Sequence, residues 1–149
     1  LNNMINTPNF EEAKELIKKQ RTLNKKIIVI AKTPEFNRKI LEYCKFDTLL
    51  SVENSARKSS LRQLDSGLNE VLAKIALKNN ISIGINLLEL KKLEKREKAV
   101  RLTKIRQNMD ICEKTRTKIS LLNYHNKKNA LSFLLSLGLS SKKAKKVLE

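Results

Sequence analysis

Side chains able to do covalent or metal chemistry are scarce in this chain. It carries one histidine, His125, and two cysteines, Cys44 and Cys112, among 149 residues. A structural zinc site draws four ligands from Cys, His and carboxylates, and an activated nucleophile needs a base beside it. A lone histidine between Tyr124 and Asn126 meets neither need and reads as a structural or exposed loop residue. Both cysteines fall on helical patterns among apolar residues, which makes them small buried hydrophobes. The carboxylates near expected strand ends, Asp47, Glu53 and Asp65, form no visible set that could hold a metal against a phosphate. The triplet Asp65-Ser66-Gly67 invites a catalytic reading. Its simpler reading is a helix start, where Asp or Ser accepts orphan backbone N–H bonds and Gly67 allows close approach. No catalytic or metal-binding residue is assigned, and no cofactor is expected on the chain.

Positive charge is plentiful by contrast. Thirty-two Lys and Arg face fifteen Asp and Glu, a net charge of +17. Such self-repulsion calls for a polyanionic partner. Nucleic acid is favoured over an anionic membrane, because no basic amphipathic helix has an aromatic-rich face. Arg57, Lys58 and Arg62 fall in an expected strand-to-helix loop, where they could take phosphates by counterion release or simply be solvated. The helix start at Asp65, Ser66 and Gly67 could hold a phosphate on its backbone N–H groups. Glu70, Lys74 and Lys78 recur every fourth residue. Glu70 and Lys74 make an i,i+4 pair of about 0.2–0.5 kcal/mol, while Lys74 and Lys78 read equally as RNA contacts or as a solvated face. Arg38 follows Asn37 on the polar side of its helix and is a further candidate. Arg101, Lys104 and Arg106, with Lys142, Lys143, Lys145 and Lys146, supply charge without base readout.

The elements that must position these residues can be read from apolar spacing. Ile27 to Ala31, Asp47 to Val52, Ile81 to Leu87 and Lys118 to Asn123 are strand-like runs separated by amphipathic helices, the pattern of a parallel βα series. Asn9 with Glu12 makes a capping-box pattern, and Thr33-Pro34 marks another helix start. That second helix buries Phe36, Ile40, Leu41 and Cys44. Asp65 or Ser66 caps a helix whose stripe is Leu68, Val71, Leu72, Ile75 and Ala76. Ala99, Leu102, Ile105, Met109 and Cys112 mark the next. Gly138 ends a helix from Ala130 to Leu137, and Ser140 caps a last short one. The chain suits one domain, 1–149. No apolar run is long enough to span a bilayer, and the first residues lack signal-peptide order. The expectation is a cytoplasmic protein with no membrane partner.

The stretch DSGLNEVLAKIALKNNISIGINLLEL, from Asp65 to Leu90, follows Asn37-Arg38, the run FDTLL and Arg57-Lys58. This order resembles the archaeal ribonuclease P protein component 3 family, which is similar to polymerase-and-histidinol-phosphatase barrels. The family pattern is an Asn-Arg pair on a helix, a strand of the type VDIL, Arg-Lys-Asp-Ser-Gly, a helix reading VLAKLA, and a strand ending in Gly-hydrophobic-Ser-Leu. The resemblance is best over 26–90 and continues weakly through Glu97 to Glu113 and a C-terminal helical segment, 127–149. Three features depart from it. SSLRQL separates Arg57-Lys58 from Asp65, so Arg57 and Arg62 both compete for the family's arginine position. Glu70 stands where the family has His, and NYHNKKNALSF replaces a Pro-Arg-Asp loop. The family's first barrel strands are missing as well; a reduced protein, a split protein and a fragment all fit that absence.

The resemblance implies an α/β fold: a reduced or partial TIM-like βα barrel of about four parallel strands with surrounding helices. It implies a subunit of ribonuclease P that supports the catalytic RNA in removing the 5′ leader of precursor tRNA. Its partners would be ribonuclease P RNA, ribonuclease P protein component 2 and other ribonuclease P proteins, and precursor tRNA. Mg2+ would belong to the catalytic RNA. Two other classes remain open on the residues alone: a stand-alone basic RNA-binding or ribosome-associated protein, and a metal-dependent phosphoesterase.

Overall fold

Consecutive apolar residues suit strands covered on both faces, and each of the four runs read in the sequence forms a strand. In the computed structural model, which describes residues 4–55 and 64–149, these are β2 (Ile28–Ile30), β3 (Thr48–Leu50), β4 (Ser82–Asn86) and β5 (Ile119–Leu122). A further strand, β1 (Met4–Ile5), pairs with β2 through Met4 and Ile28. Two residues beside asparagines carry no periodicity, which is why the expected count of about four is one short. The order is β1-β2-β3-β4-β5 and every pairing is parallel. The crossovers carry α1 (Phe10–Arg21), α2 (Pro34–Tyr43), α3 (Glu70–Lys78), and then α4 (Leu87–Lys92) with α5 (Lys95–Thr115). After β5 come α6 (Lys127–Ser136) and α7 (Ser141–Val147). Strands in sequential parallel order with helical crossovers are the arrangement of a βα barrel, here a five-stranded part of one.

Strand alternation divides the sheet into two faces. Ile5, Val29, Leu49, Ile83, Ile85 and Leu121 are buried beneath the helices. On the other face Met4, Ile28, Ile30, Ser82, Asn86, Ser120 and Leu122 are only half-buried. There the hydroxyls of Thr48, Ser82 and Ser120 join in a ladder of 2.8 and 3.1 Å contacts. Gly84 lies in the same region, where a Cβ would stand 2.7 Å from Thr48 Cγ2, so β3 and β4 pack closely only because it has no side chain. One apolar cluster joins α1, α2 and α3 to the sheet through Ile17, Ile40, Leu49 and Ala73. A second joins α4 to α7 through Ile85, Ile105, Met109 and Leu134. Each such fully buried Ile or Leu stabilises the fold by about 1.5–3 kcal/mol.

Several helix starts follow the sequence. Thr33 accepts the Phe36 N–H at 3.1 Å with Pro34 in the first turn, and Ser140 accepts the Lys143 N–H at 3.4 Å. Asn9 accepts the N–H groups of Glu11 and Glu12, but the Glu12 carboxylate takes the Thr7 hydroxyl at 2.8 Å instead of closing a capping box. Before α6 the cap is Asn126, so that helix starts three residues earlier than its apolar pattern. Gly138, with φ of 98°, follows its end in the left-handed region.

Other expectations need correction. Cys44 is exposed: α2 ends at Tyr43 and the chain turns left-handed at Cys44, off the helical stripe. Val71 is 58% exposed, whereas Leu72, Ala73 and Ala76 are buried. Their helix starts at Glu70 behind Asn69, which accepts the Leu72 N–H at 2.9 Å, so neither Asp65 nor Ser66 is the cap. On α5, Ala99 faces solvent and Arg101 and Asn108 are buried with Ile105, Met109 and Cys112. Among the described residues no helix is long and apolar enough to cross a membrane.

Candidate nucleic-acid interface

In a parallel βα array the loops after the strands gather at one end, which is where barrels carry their sites. At this end β3 leads into Ser51, held at φ 60°, and the chain then winds into a short 3-10 helix, Val52–Ser55. The turn buries Glu53. Beyond β4, Asn86 caps α4 and so places Glu89 in its first turn. Between them lies Arg101 of α5: Nη2 donates to Glu53 Oε1 at 3.1 Å and Nη1 donates to Glu89 Oε1 at 3.0 Å. Asn54 Nδ2 and the Ser51 hydroxyl donate to Glu89 as well, at 3.2 and 3.4 Å. Across the end of the sheet, Lys32 donates to Asn6, and Asn123 donates to Asn86.

The two carboxylates share one guanidinium yet titrate in opposite directions. Burial dominates at Glu53, whose side chain is 3% exposed, and pushes its pKa up despite Arg101. Glu89 is 39% exposed. Burial opposes its charge too, but the hydrogen bond and charge of Arg101, with Asn54 and Ser51, outweigh that and hold it below the usual carboxylate range. Burial likewise works against the Arg101 charge, and the two carboxylates more than restore it. Arg101 thus fills the space between the acidic groups at this end of the sheet.

The same helix holds both flanks of segment 56–63. Arg101 ties down Glu53 on one side, and on the other Asn108 Nδ2 donates to the Ser66 carbonyl at 3.0 Å. Arg57, Lys58 and Arg62 lie in that segment, outside the described residues. A cleft of about 430 Å³ runs between the 3-10 turn and α5, with Arg96, Val100 and Lys104 along its helical side.

The other expected site residues are placed as follows. Asp65 Oδ1 accepts the Gly67 N–H at 2.9 Å in a turn, Ser66 is buried, and Gly67 has φ of 81°. The triplet therefore precedes α3 and does not form its first turn, and the helix N-terminus belongs to Asn69. Lys74 and Lys78 are exposed on α3. Glu70 Oε1 accepts from Lys114 at 2.5 Å, and Lys114 does more than Lys74 to lower its pKa. Arg38 is exposed and pairs with Glu42 at 3.2 Å, while Asn37 turns inward and accepts the Lys32 N–H at 2.8 Å. His125 is exposed. The expected basic face is corrected at Arg101, which is buried, whereas Arg106 is exposed and Lys104 half-exposed. Spacing could have shown this, because 101, 105, 108, 109 and 112 form one helical stripe.

No family model matches the chain. Ribonuclease P protein component 3 of Methanococcus vannielii is 30% identical to it over 111 residues. The chain is thus similar to ribonuclease P protein component 3, the resemblance already read from its residues. The match takes in 74% of this chain and 45% of that relative, so the chain spans about half the relative's length. A cryo-EM structure of archaeal ribonuclease P with mature tRNA contains a chain of the same fold, with a TM-score of 0.82 at 22% identity over 97% of this chain and 62% of that one. A crystal structure of an uncharacterized protein matches less closely, with a TM-score of 0.53 at 13% identity over 76% of this chain and 27% of the other. The component 3 resemblance and the partial TIM-like βα architecture expected from the residues both stand.

Proposed function

We propose that this chain serves as a protein subunit of ribonuclease P, where it supports the catalytic RNA in removing the 5′ leader from precursor tRNA. The observation that carries the proposal is the Arg101 pair with Glu53 and Glu89 at the strand C-terminal ends, in a chain of net charge +17. A hydrolase built on this scaffold would use carboxylates at that end to hold a metal or to move a proton. Here a guanidinium engages both, so they act as a structural brace. Similarity to ribonuclease P protein component 3 supports the same reading.

The chemistry is then left to the RNA with its bound magnesium. The polypeptide neutralises phosphates through Arg57, Lys58 and Arg62, and through Arg38 on α2 and Lys74 and Lys78 on α3. Each phosphate contact releases counterions, which makes binding strongly salt-dependent. Its partners on this reading are ribonuclease P RNA, precursor tRNA, component 2 and the other ribonuclease P proteins. The test is reconstituted cleavage of precursor tRNA at low magnesium with Arg57, Lys58 and Arg62 all replaced by Ala. Cleavage should fall and recover when magnesium is raised. Unchanged cleavage would remove the basic segment from the mechanism, and cleavage by the polypeptide without RNA would overturn the subunit reading.

A further inference from the structure

The opposite end of the sheet holds a second concentration of charge. Below the N-terminal ends of β3, β4 and β5 opens a cavity of about 740 Å³. Five cations reach it from separate parts of the chain: Lys26 before β2, Arg116 and Lys118 between α5 and β5, and Lys143 and Lys146 on α7. Two of them are already engaged. Lys143 pairs with Glu113 at 3.0 Å, and Lys118 donates to Asn80 at 2.9 Å. The nearby Asp47 carboxylate accepts the Ile27 N–H at 2.7 Å. Lys26, Arg116 and Lys146 have no ion-pair partner among the described residues.

The carboxylates of Asp47, Glu113 and Glu149 line the same cavity, yet the cations outnumber them, and surplus positive charge drawn to one rim from distant segments favours a bound anion. Arg116 follows the end of α5 at φ 63°, the left-handed helix-ending conformation that Cys44 also takes, and its side chain reaches the cavity from there. No aromatic side chain lines the cavity, so it offers a base or an apolar ring nothing to stack on. Cations around a hydroxyl floor of Ser82, Thr117 and Ser120 suit backbone phosphates, which position a nucleic acid without reading its sequence.

We propose that this rim, through Lys26, Arg116 and Lys146, is a second RNA phosphate-binding surface, remote from the strand C-terminal end. It rests on the RNA-partner reading above and deepens it: the chain would touch RNA at both ends of its sheet and bridge two segments of the fold.

The test measures affinity of the full chain for an RNA duplex by fluorescence anisotropy across a salt series. The variant is Lys26→Ala with Arg116→Gly and Lys146→Ala. Glycine suits the left-handed backbone at 116, so the fold is kept. At about 0.7–0.9 of salt slope per phosphate contact, losing three contacts lowers the slope by about 2–3. Between about 50 and 200 mM salt, wild type should then lose about 20–40-fold more affinity than the variant. A control removes the same charge outside the cavity, at Lys18, Lys142 and Lys145, and should change the slope less. Equal loss in the control, or an unchanged slope in the cavity variant while wild type still binds, overturns the second surface alone. Wild type with no salt-dependent RNA binding sinks the RNA-partner reading itself.

Discussion

Replacing Arg101 with Met tests the brace at the strand C-terminal end. Methionine keeps most of the side chain's length and loses its charge and donors. Glu53, 3% exposed, is then left as a buried acid with no counter-charge. Removing one partner of a buried ion pair costs about 3–5 kcal/mol, a large part of the roughly 5–15 kcal/mol by which domains are stable. The Glu89 side contributes less. At 39% exposure that pair is screened by solvent, and Glu89→Gln should cost about 0–1 kcal/mol. In equilibrium urea unfolding followed by circular dichroism, Arg101→Met should lower the midpoint by about 2 M, given slopes of about 1–3 kcal/mol per M. Adding Glu53→Gln removes the stranded charge and should recover about half the loss.

The pH dependence has a defined sign. The folded-state pKa of Glu53 lies above its ordinary 4.5, so its contribution is fully present below that value and is lost as pH rises through the raised one. Glu89 runs the other way: its contribution is present above its ordinary value and disappears as pH falls through the lowered one. Arg101→Met should enlarge the Glu53 effect and abolish most of the Glu89 effect. A loss under about 1 kcal/mol for Arg101→Met, with no recovery from Glu53→Gln, would refute the buried brace.

Three further outcomes are expected. Gly84→Ala should lower thermal stability by about 1–3 kcal/mol through overpacking, because the new methyl meets Thr48 Cγ2 at 2.7 Å; an unchanged Tm would contradict that packing. Under native conditions a thiol reagent should label exposed Cys44 quickly and spare Cys112, whose thiol burial pushes up to about 12; equal labelling rates would count against it. Lys114→Ala should bring the Glu70 carboxyl back up toward its ordinary range in an NMR titration, since Lys114 supplies the main hydrogen bond and charge that lower it. If Lys74→Ala produces the larger change, the pairing on α3 is the i,i+4 one after all.

Much of the architecture could be read from the residues because strands buried under helices on one face and half-buried on the other still carry near-continuous apolar runs. IIVIA and ISIGINL leave little choice, and Thr33-Pro34 fixes a helix start with it. Met4–Ile5 could not be read in this way, since its strand character comes from pairing with β2 and not from its own pattern. Asn69 was obscured by Asp65-Ser66-Gly67, three residues that also satisfy helix-cap chemistry but form a turn. Arg101 lies on the stripe of Ile105, Asn108, Met109 and Cys112, but its charge masks that spacing. A lysine- and arginine-rich helix reads as solvated, and only two acids arriving from the ends of β3 and β4 make burial of one arginine tolerable. The rim at Lys26, Arg116 and Lys146 depends on tertiary packing of segments far apart in the chain, which no local spacing records.

The order of the sheet bears on how the molecule is made. Each strand pairs with the one synthesised just before it. A nascent chain leaving the ribosome can therefore lay down β2 on β1, β3 on β2 and so on, without waiting for a distant segment to return. Such vectorial assembly keeps unpaired edges short-lived during translation, when exposed strands are most prone to aggregate.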